Sequence, residues 1–180
     1  MATYRRQRVP GATWFFSFVT EGRRPLLVTP AAIQAMTFAH ANTCARYRYA
    51  LVAWAVLPDH VHALVRLPAG DSHYARRISI FKRLVSRQLV GTLDTSSRDS
   101  LRRRREAGVW QRRFWEHRIR DDRDLATHVD YIHYNAVKHG HALTAAAWPW
   151  SSFQRYVGRG MLPPDWAGDA QARQRGRFGE

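Results

Sequence analysis

Val56-Leu57-Pro58-Asp59-His60-Val61-His62-Ala63-Leu64-Val65 is the stretch on which the reading of the fold turns. An apolar run meets a Pro-Asp turn, and the run that leaves the turn opens with two histidines spaced i, i+2. Side chains alternate faces along a strand, so His60 and His62 point to one side of a sheet. Val61, Ala63, Val65 and Leu67 point to the other side and read as core. Residues 49–57 form a strand of the same kind, and so short a connection makes the two an antiparallel hairpin. Two imidazoles side by side at a hairpin mouth are a candidate pair of metal ligands. Taken alone, the pair reads more readily as two exposed strand histidines.

Working outward, Thr13-Trp-Phe-Phe-Ser-Phe-Val-Thr20 is β-rich and bounded by turn formers, which makes it a first strand. Thr29-Pro30 has the form of an N-cap followed by proline at the first helical position, and that helix carries Ile33, Met36, Ala39 and Cys44 to about Tyr47. After the hairpin, Tyr74, Ile78, Phe81, Val85 and Leu89 recur at helical spacing from Ser72 to about Val90. Phe114-Trp-Glu-His-Arg-Ile119 reads as a fourth strand. Asp121-Asp122 then open a third helix that stops at Lys138-His139-Gly140, with cations in its last turn and glycine beyond. The order β-α-β-β-α-β-α is α+β, a ferredoxin-like split βαβ sheet with one added helix. Residues 1–140 are read as the domain. Residues 141–180 are read as a tail that packs on the domain or on DNA, with 171–180 expected to be disordered.

The chain has 180 residues, enough for one domain with a real core, and 45% of them are hydrophobic, with seven Trp, eight Phe and seven Tyr. It carries 29 basic against 14 acidic residues, a formal charge of +15, which favours a polyanionic partner and nucleic acid first. Five cations, Arg76, Arg77, Lys82, Arg83 and Arg87, fill the remaining faces of the second helix and suggest a phosphate-facing surface, although a solvated basic face is the plainer reading. Arg5 and Arg6 belong to the basic start, and four arginines follow one another at 102–105. The single cysteine, Cys44, excludes an internal disulfide and a cysteine-based zinc site. No apolar stretch approaches the ~18 residues needed to span a bilayer, so no membrane partner is expected. The expectation is a soluble cytoplasmic protein associated with the nucleoid, a monomer or a homodimer.

On the third helix, Leu125, Val129, Ile132 and Ala136 share one face and should dock on the sheet, with Tyr131 and Asn135 stacked on its flank and His128 and Lys138 on the same side. Tyr134 points away. A helix docked on the histidine face brings Tyr131 and Asn135 toward His60 and His62. Two imidazoles and an amide oxygen can hold a divalent ion with open positions, and that donor set suits Mg²⁺ or Mn²⁺. A tyrosine hydroxyl with pKa near ~10 attacks a phosphodiester only when a cation stabilises its phenolate, a role open to Lys138 and the metal. Spacing alone favours the plainer reading of Tyr131 as a partly buried helix tyrosine. Asp59 and Glu116 stand near this presumed site as supporting or merely structural acids.

The chain resembles the REP-associated tyrosine transposases, bacterial relatives of the single-tyrosine HUH transposases. The resemblance rests on Tyr4-Arg5-Arg6, Gly11-Ala-Thr-Trp-Phe-Phe16, Ala53-Trp-Ala-Val-Leu-Pro-Asp-His-Val-His62, Trp110-Gln-Arg-Arg-Phe-Trp-Glu-His117, His128-Val-Asp-Tyr-Ile-His-Tyr-Asn135, Val137-Lys-His-Gly140 and Asp165-Trp-Ala-Gly-Asp169. It implies a ferredoxin-like HUH domain that cuts and rejoins single-stranded DNA beside palindromic hairpins. It also implies that His60 and His62 are the metal ligands and that Tyr131, not Tyr134, is the nucleophile. Two departures are visible: related insertion-sequence enzymes usually place Gln where this chain has Asn135, one methylene shorter, and the family commonly has proline where Ala136 stands. A second reading is a module that binds hairpin DNA or RNA without chemistry, using the basic helix and the tail aromatics Trp148, Trp150 and Trp166 for base stacking. A ribonuclease without a covalent intermediate ranks last, since no carboxylate pair accompanies the histidines.

Overall fold

A computed structural model describes residues 7–89 and 108–168. Arg5, Arg6, the arginine run at 102–105 and residues 171–180 lie outside them. Along the described chain run β1 (Thr13–Val19), α1 (Pro30–Arg46), β2 (Ala50–Val56), β3 (His60–Arg66), α2 (Tyr74–Leu89), β4 (Trp115–Arg118), α3 (Asp122–Lys138) and α4 (Phe153–Gly158). The strands form one antiparallel sheet in the order β2-β3-β1-β4, which is the split βαβ arrangement.

Local chemistry accounts for the boundaries. The Thr29 hydroxyl accepts from the Ala32 amide, and Pro30 occupies the first helical position of α1, where its missing N–H is no loss. Asp121 caps α3 by accepting from the Asp124 amide, and Gly140, at φ +71°, takes the left-handed turn after the helix ends. The β2–β3 hairpin is in register from Val56↔Val61 down to Ala53↔Leu64, then shifts between Ala53 and Leu51. This bulge lets Leu51, Trp54 and Val56 face one side of the sheet while Ala53, Ala55 and Leu57 face the other.

Strand alternation divides the protein into layers. Trp14, Phe16, Phe18, Val61, Ala63 and Val65 pack against α1 and α2 through Ala35, Met36, Ala39, Tyr74, Ile78 and Val85. Phe15, Leu64, Val129, Tyr131 and Ile132 fill the other side, where α3 covers the face that carries His60 and His62. These histidines are buried at 2% and 0% exposure, so the reading of them as exposed strand residues fails. The burying element is α3, 60 residues downstream.

The chain after α3 returns to the sheet. Val56 donates to the Trp150 carbonyl at 2.7 Å, Ser152 donates to the Trp54 carbonyl at 2.8 Å, and the Trp54 amide donates to the Ser152 hydroxyl at 2.9 Å. The segment thus runs beside the outer edge of β2 and satisfies groups that would otherwise template another chain.

Candidate active site

The turn before β3 supplies the first support. Asp59 accepts from His60 Nδ1 at 2.6 Å and from Arg23 at 3.0 Å. Burial opposes ionisation of Asp59, but its hydrogen bonds and charge contacts with His60 and Arg23 outweigh that and hold it below the usual carboxylate range. A carboxylate can only accept, so His60 Nδ1 carries a proton. At the far side of the ring, Nε2 stands 3.3 Å from the Asn135 side-chain oxygen, within a fully buried contact. A ring with a carboxylate at one nitrogen and an amide oxygen at the other suits an imidazolium, or a metal ion at Nε2 with the carboxylate as its outer partner.

His62 lies beside His60, ring centroids 4.8 Å apart, and its other neighbours are Tyr131 at 5.2 Å and Phe15 at 5.3 Å. The i, i+2 spacing on β3 and the i, i+4 spacing on α3 therefore converge: His60 and His62 from the strand meet Tyr131 and Asn135 from the helix. Tyr131 and Asn135 are 2% and 0% exposed. The Lys138 ammonium sits 4.9 Å from the centroid of the Tyr131 ring, close enough to favour negative charge there. His60, His62 and Asn135 present a donor set that a divalent ion fits. Tyr134 is turned elsewhere, against Gly168, where a Cβ would stand 2.9 Å from the Tyr134 ring.

Several sequence expectations need correction. Arg77 does not face solvent. It is 4% exposed and its guanidinium bonds to Asp71 at 2.6 and 3.1 Å and to the Arg48 and Tyr47 carbonyls, because it lies on the buried side of α2 against the end of α1. Lys82 donates to the Gln111 carbonyl at 2.7 Å. Arg76, Arg83 and Arg87 remain exposed on α2, Arg76 over the Tyr47 ring. Glu116 pairs with Phe16 across β1 and β4, faces α2, and accepts from the Tyr74 hydroxyl at 2.7 Å, so it lies on the opposite face from the histidines. Trp148 donates its indole N–H to the Val56 carbonyl at 2.9 Å and is half-buried, and Trp150 packs against the core beneath α1 and α2.

The structure also brings together residues to which the sequence assigned no joint role, among them His128, expected only on the Tyr131 side of the helix. His139, one turn beyond Asn135, brings its ring within 5.3 Å of His60. His117, Asp124 and His128 form a separate group able to hold a metal ion, their ligand atoms all within 4.8 Å of one another. The available signal was Asp124 and His128 at i, i+4 with a histidine on the preceding strand, but it needs the β1–β4 register to become visible.

Residues 12–135 match the family model "Transposase IS200 like", and the match spans both β3 and the Tyr131–Asn135 turn of α3. A Haemophilus influenzae protein named "Putative REP-associated tyrosine transposase" is 42% identical over 98% of this chain and 99% of its own. The REP-associated tyrosine transposase of Escherichia coli strain K12 is 37% identical over 94% of this chain and 93% of its own. The solved structure of a REP-associated tyrosine transposase bound to a REP hairpin superposes with a TM-score of 0.84 at 36% identity, covering 100% of this chain and 98% of that one. With fold, motif and near full-length identity in agreement, the chain belongs to the REP-associated tyrosine transposases of the IS200-like family.

Proposed function

We propose that this chain cuts and rejoins single-stranded DNA beside REP-like hairpins, with Tyr131 as the nucleophile. The observation that carries the reading is the convergence at α3 and β3: the Tyr131 ring against His62, Lys138 over that ring, and Asn135 facing His60. The Tyr131 oxygen attacks the scissile phosphorus, the bond from phosphorus to the 3′ oxygen breaks, and the departing 3′ oxygen takes up a proton. The products are a 5′-phosphotyrosine and a free 3′-OH. The linkage conserves the energy of the broken diester, so a 3′-OH can reverse the step without a nucleotide cofactor. Lys138 stabilises the phenolate, and Asp59 fixes the orientation of His60. Mg²⁺ or Mn²⁺ held by His60, His62 and Asn135 would supply polarisation of the non-bridging oxygens.

The solved relative is a complex with a REP hairpin, and that supports hairpin DNA as the partner here. The exposed Arg76, Arg83 and Arg87 lie on the sheet layer opposite Tyr131. In this reading α2 holds the stem while the flanking strand passes round the sheet edge to Tyr131.

The test is a labelled single-stranded hairpin incubated with Mg²⁺ or Mn²⁺ and resolved on a denaturing gel. A covalent adduct is expected for the wild type and for Tyr134→Phe, and none for Tyr131→Phe, which retains binding. An adduct that persists in Tyr131→Phe overturns the assignment. Tight binding without any adduct across hairpins of varied flanks leaves the non-catalytic hairpin-binding module.

A further inference from the structure

Away from His60 and His62, β4 and the first turn of α3 bring a second set of ligand-type side chains together. His117 Nε2 lies 2.8 Å from Asp124 Oδ2, and His128 Nδ1 lies 3.1 Å from Asp124 Oδ1. The carboxylate lies between the two imidazoles, whose rings stack 4.8 Å apart at 14°; His128 Nδ1 also stands 2.8 Å from the Asp124 backbone carbonyl, and Asp124 Oδ2 also accepts from the Arg120 amide at 3.0 Å. Ligands bound ~2.1 Å from one ion stand about 3 to 3.4 Å apart; His117 Nε2 and Asp124 Oδ2 are close to that spacing, and all three side chains offer a ligand atom within 4.8 Å of the others. The side chains of His117, Asp124 and His128 are 26%, 9% and 2% exposed, so one side of the group is walled by protein and the other opens to solvent.

We propose that His117, Asp124 and His128 form a second divalent-cation site, of zinc type, that ties the edge strand β4 to the first turn of α3. Two imidazoles and one carboxylate are a donor set for late first-row divalent ions, with water completing the shell. The site is distinct from the His60 and His62 pair because the Phe15 ring stands between them, 5.3 Å from His62 and 4.9 Å from His128. Three of the chain's 14 acidic residues, Asp121, Asp122 and Asp124, gather at this helix start in a molecule of net charge +15. The competing cation is Arg120, whose Nε is 3.3 Å from Asp124; its side chain is 68% exposed and free to swing into water. β4 spans four residues and pairs with β1 alone among the described strands, which makes it the element that gains most from such a clamp.

Titration of the full chain with Co²⁺, read by visible absorption and by metal analysis after gel filtration, tests the proposal without reference to activity. The expected result is a bound ion that survives in the His60→Ala/His62→Ala double variant. That ion should be lost, with affinity weakened by more than about 100-fold, in His117→Ala and in Asp124→Asn; the loss of a mere outer partner costs about 10–100-fold. Zn²⁺ should raise the Tm of the double variant but not of His117→Ala. Asp124→Asn keeps the acceptor shape and guards against a simple folding failure. Unchanged Co²⁺ stoichiometry in both variants overturns the proposal, as does a double variant that binds none. The reading of His60 and His62 fails separately, when their double variant binds as much metal as the wild type.

Discussion

His133 stands two residues from Tyr131 yet faces the opposite way, into the layer formed by the returning chain. The Ser152 hydroxyl gives its proton to the Trp54 carbonyl and accepts from His133 Nε2 at 2.9 Å, so the ring is neutral and donating. Burial first, and the Arg155 charge second, press its pKa down to about 4. A depressed histidine contributes stability that is full above its unfolded value near 6.5 and is lost as pH falls toward 4, because the unfolded chain takes the proton first. The wild type should therefore lose roughly 2–3 kcal/mol between pH 7 and pH 4.5 through this group. His133→Gln, which keeps a donor toward Ser152, should show a flatter profile in urea denaturation at the two pH values. Equal slopes for the two proteins would remove His133 as the source. Residues of this kind are legible in sequence as types but not as environments: Asp59 and Glu116 looked equivalent, and the register alone sends one to His60 and the other to Tyr74.

At the level of elements, the segment after α3 does structural work that its composition conceals. Its ties to β2 run through backbone groups of Trp150 and Ser152, the Trp148 indole, and an Arg155 guanidinium that bonds the Val52 carbonyl. Such bonds leave no hydrophobic period to read, so the sequence showed aromatics and glycines and no strand-like signal. Deleting everything after Thr144 should cost about 3 kcal/mol or more at ~1 kcal/mol per hydrogen bond, and lower Tm by roughly 6–12 °C. The bared β2 edge should also drive self-association, visible by light scattering. Hairpin and scrambled strands would then both bind less well, so Trp148→Ala is the cleaner probe of any stacking role. A truncated chain that stays monodisperse with unchanged Tm would show that β2 needs no cover.

Across the whole molecule, the elements with strong periodic or capping signals were all readable: α1 from Thr29-Pro30, α3 from its acidic start and glycine stop, and the hairpin from its turn. The meeting of His60, His62, Tyr131 and Asn135 followed from strand and helix periods once α3 was placed on the bare face. The His117 group was not readable, because it joins a strand to a helix through a register no local pattern encodes. Charge shows the same limit, since a formal +15 does not say which cations face outward. Arg77 and Lys82 are committed to Asp71 and to backbone carbonyls, whereas Arg83 and Arg87 remain exposed. Each phosphate contact steepens the dependence of log affinity on log salt by roughly 1. If α2 holds a hairpin stem, Arg83→Gln/Arg87→Gln should make that slope shallower by roughly 2 and leave thermal stability nearly unchanged, as surface changes do. Fluorescence anisotropy of a labelled hairpin across a salt series measures it. An unchanged slope would place the phosphates away from α2, leaving the hairpin to be held by cations on the Tyr131 side of the sheet.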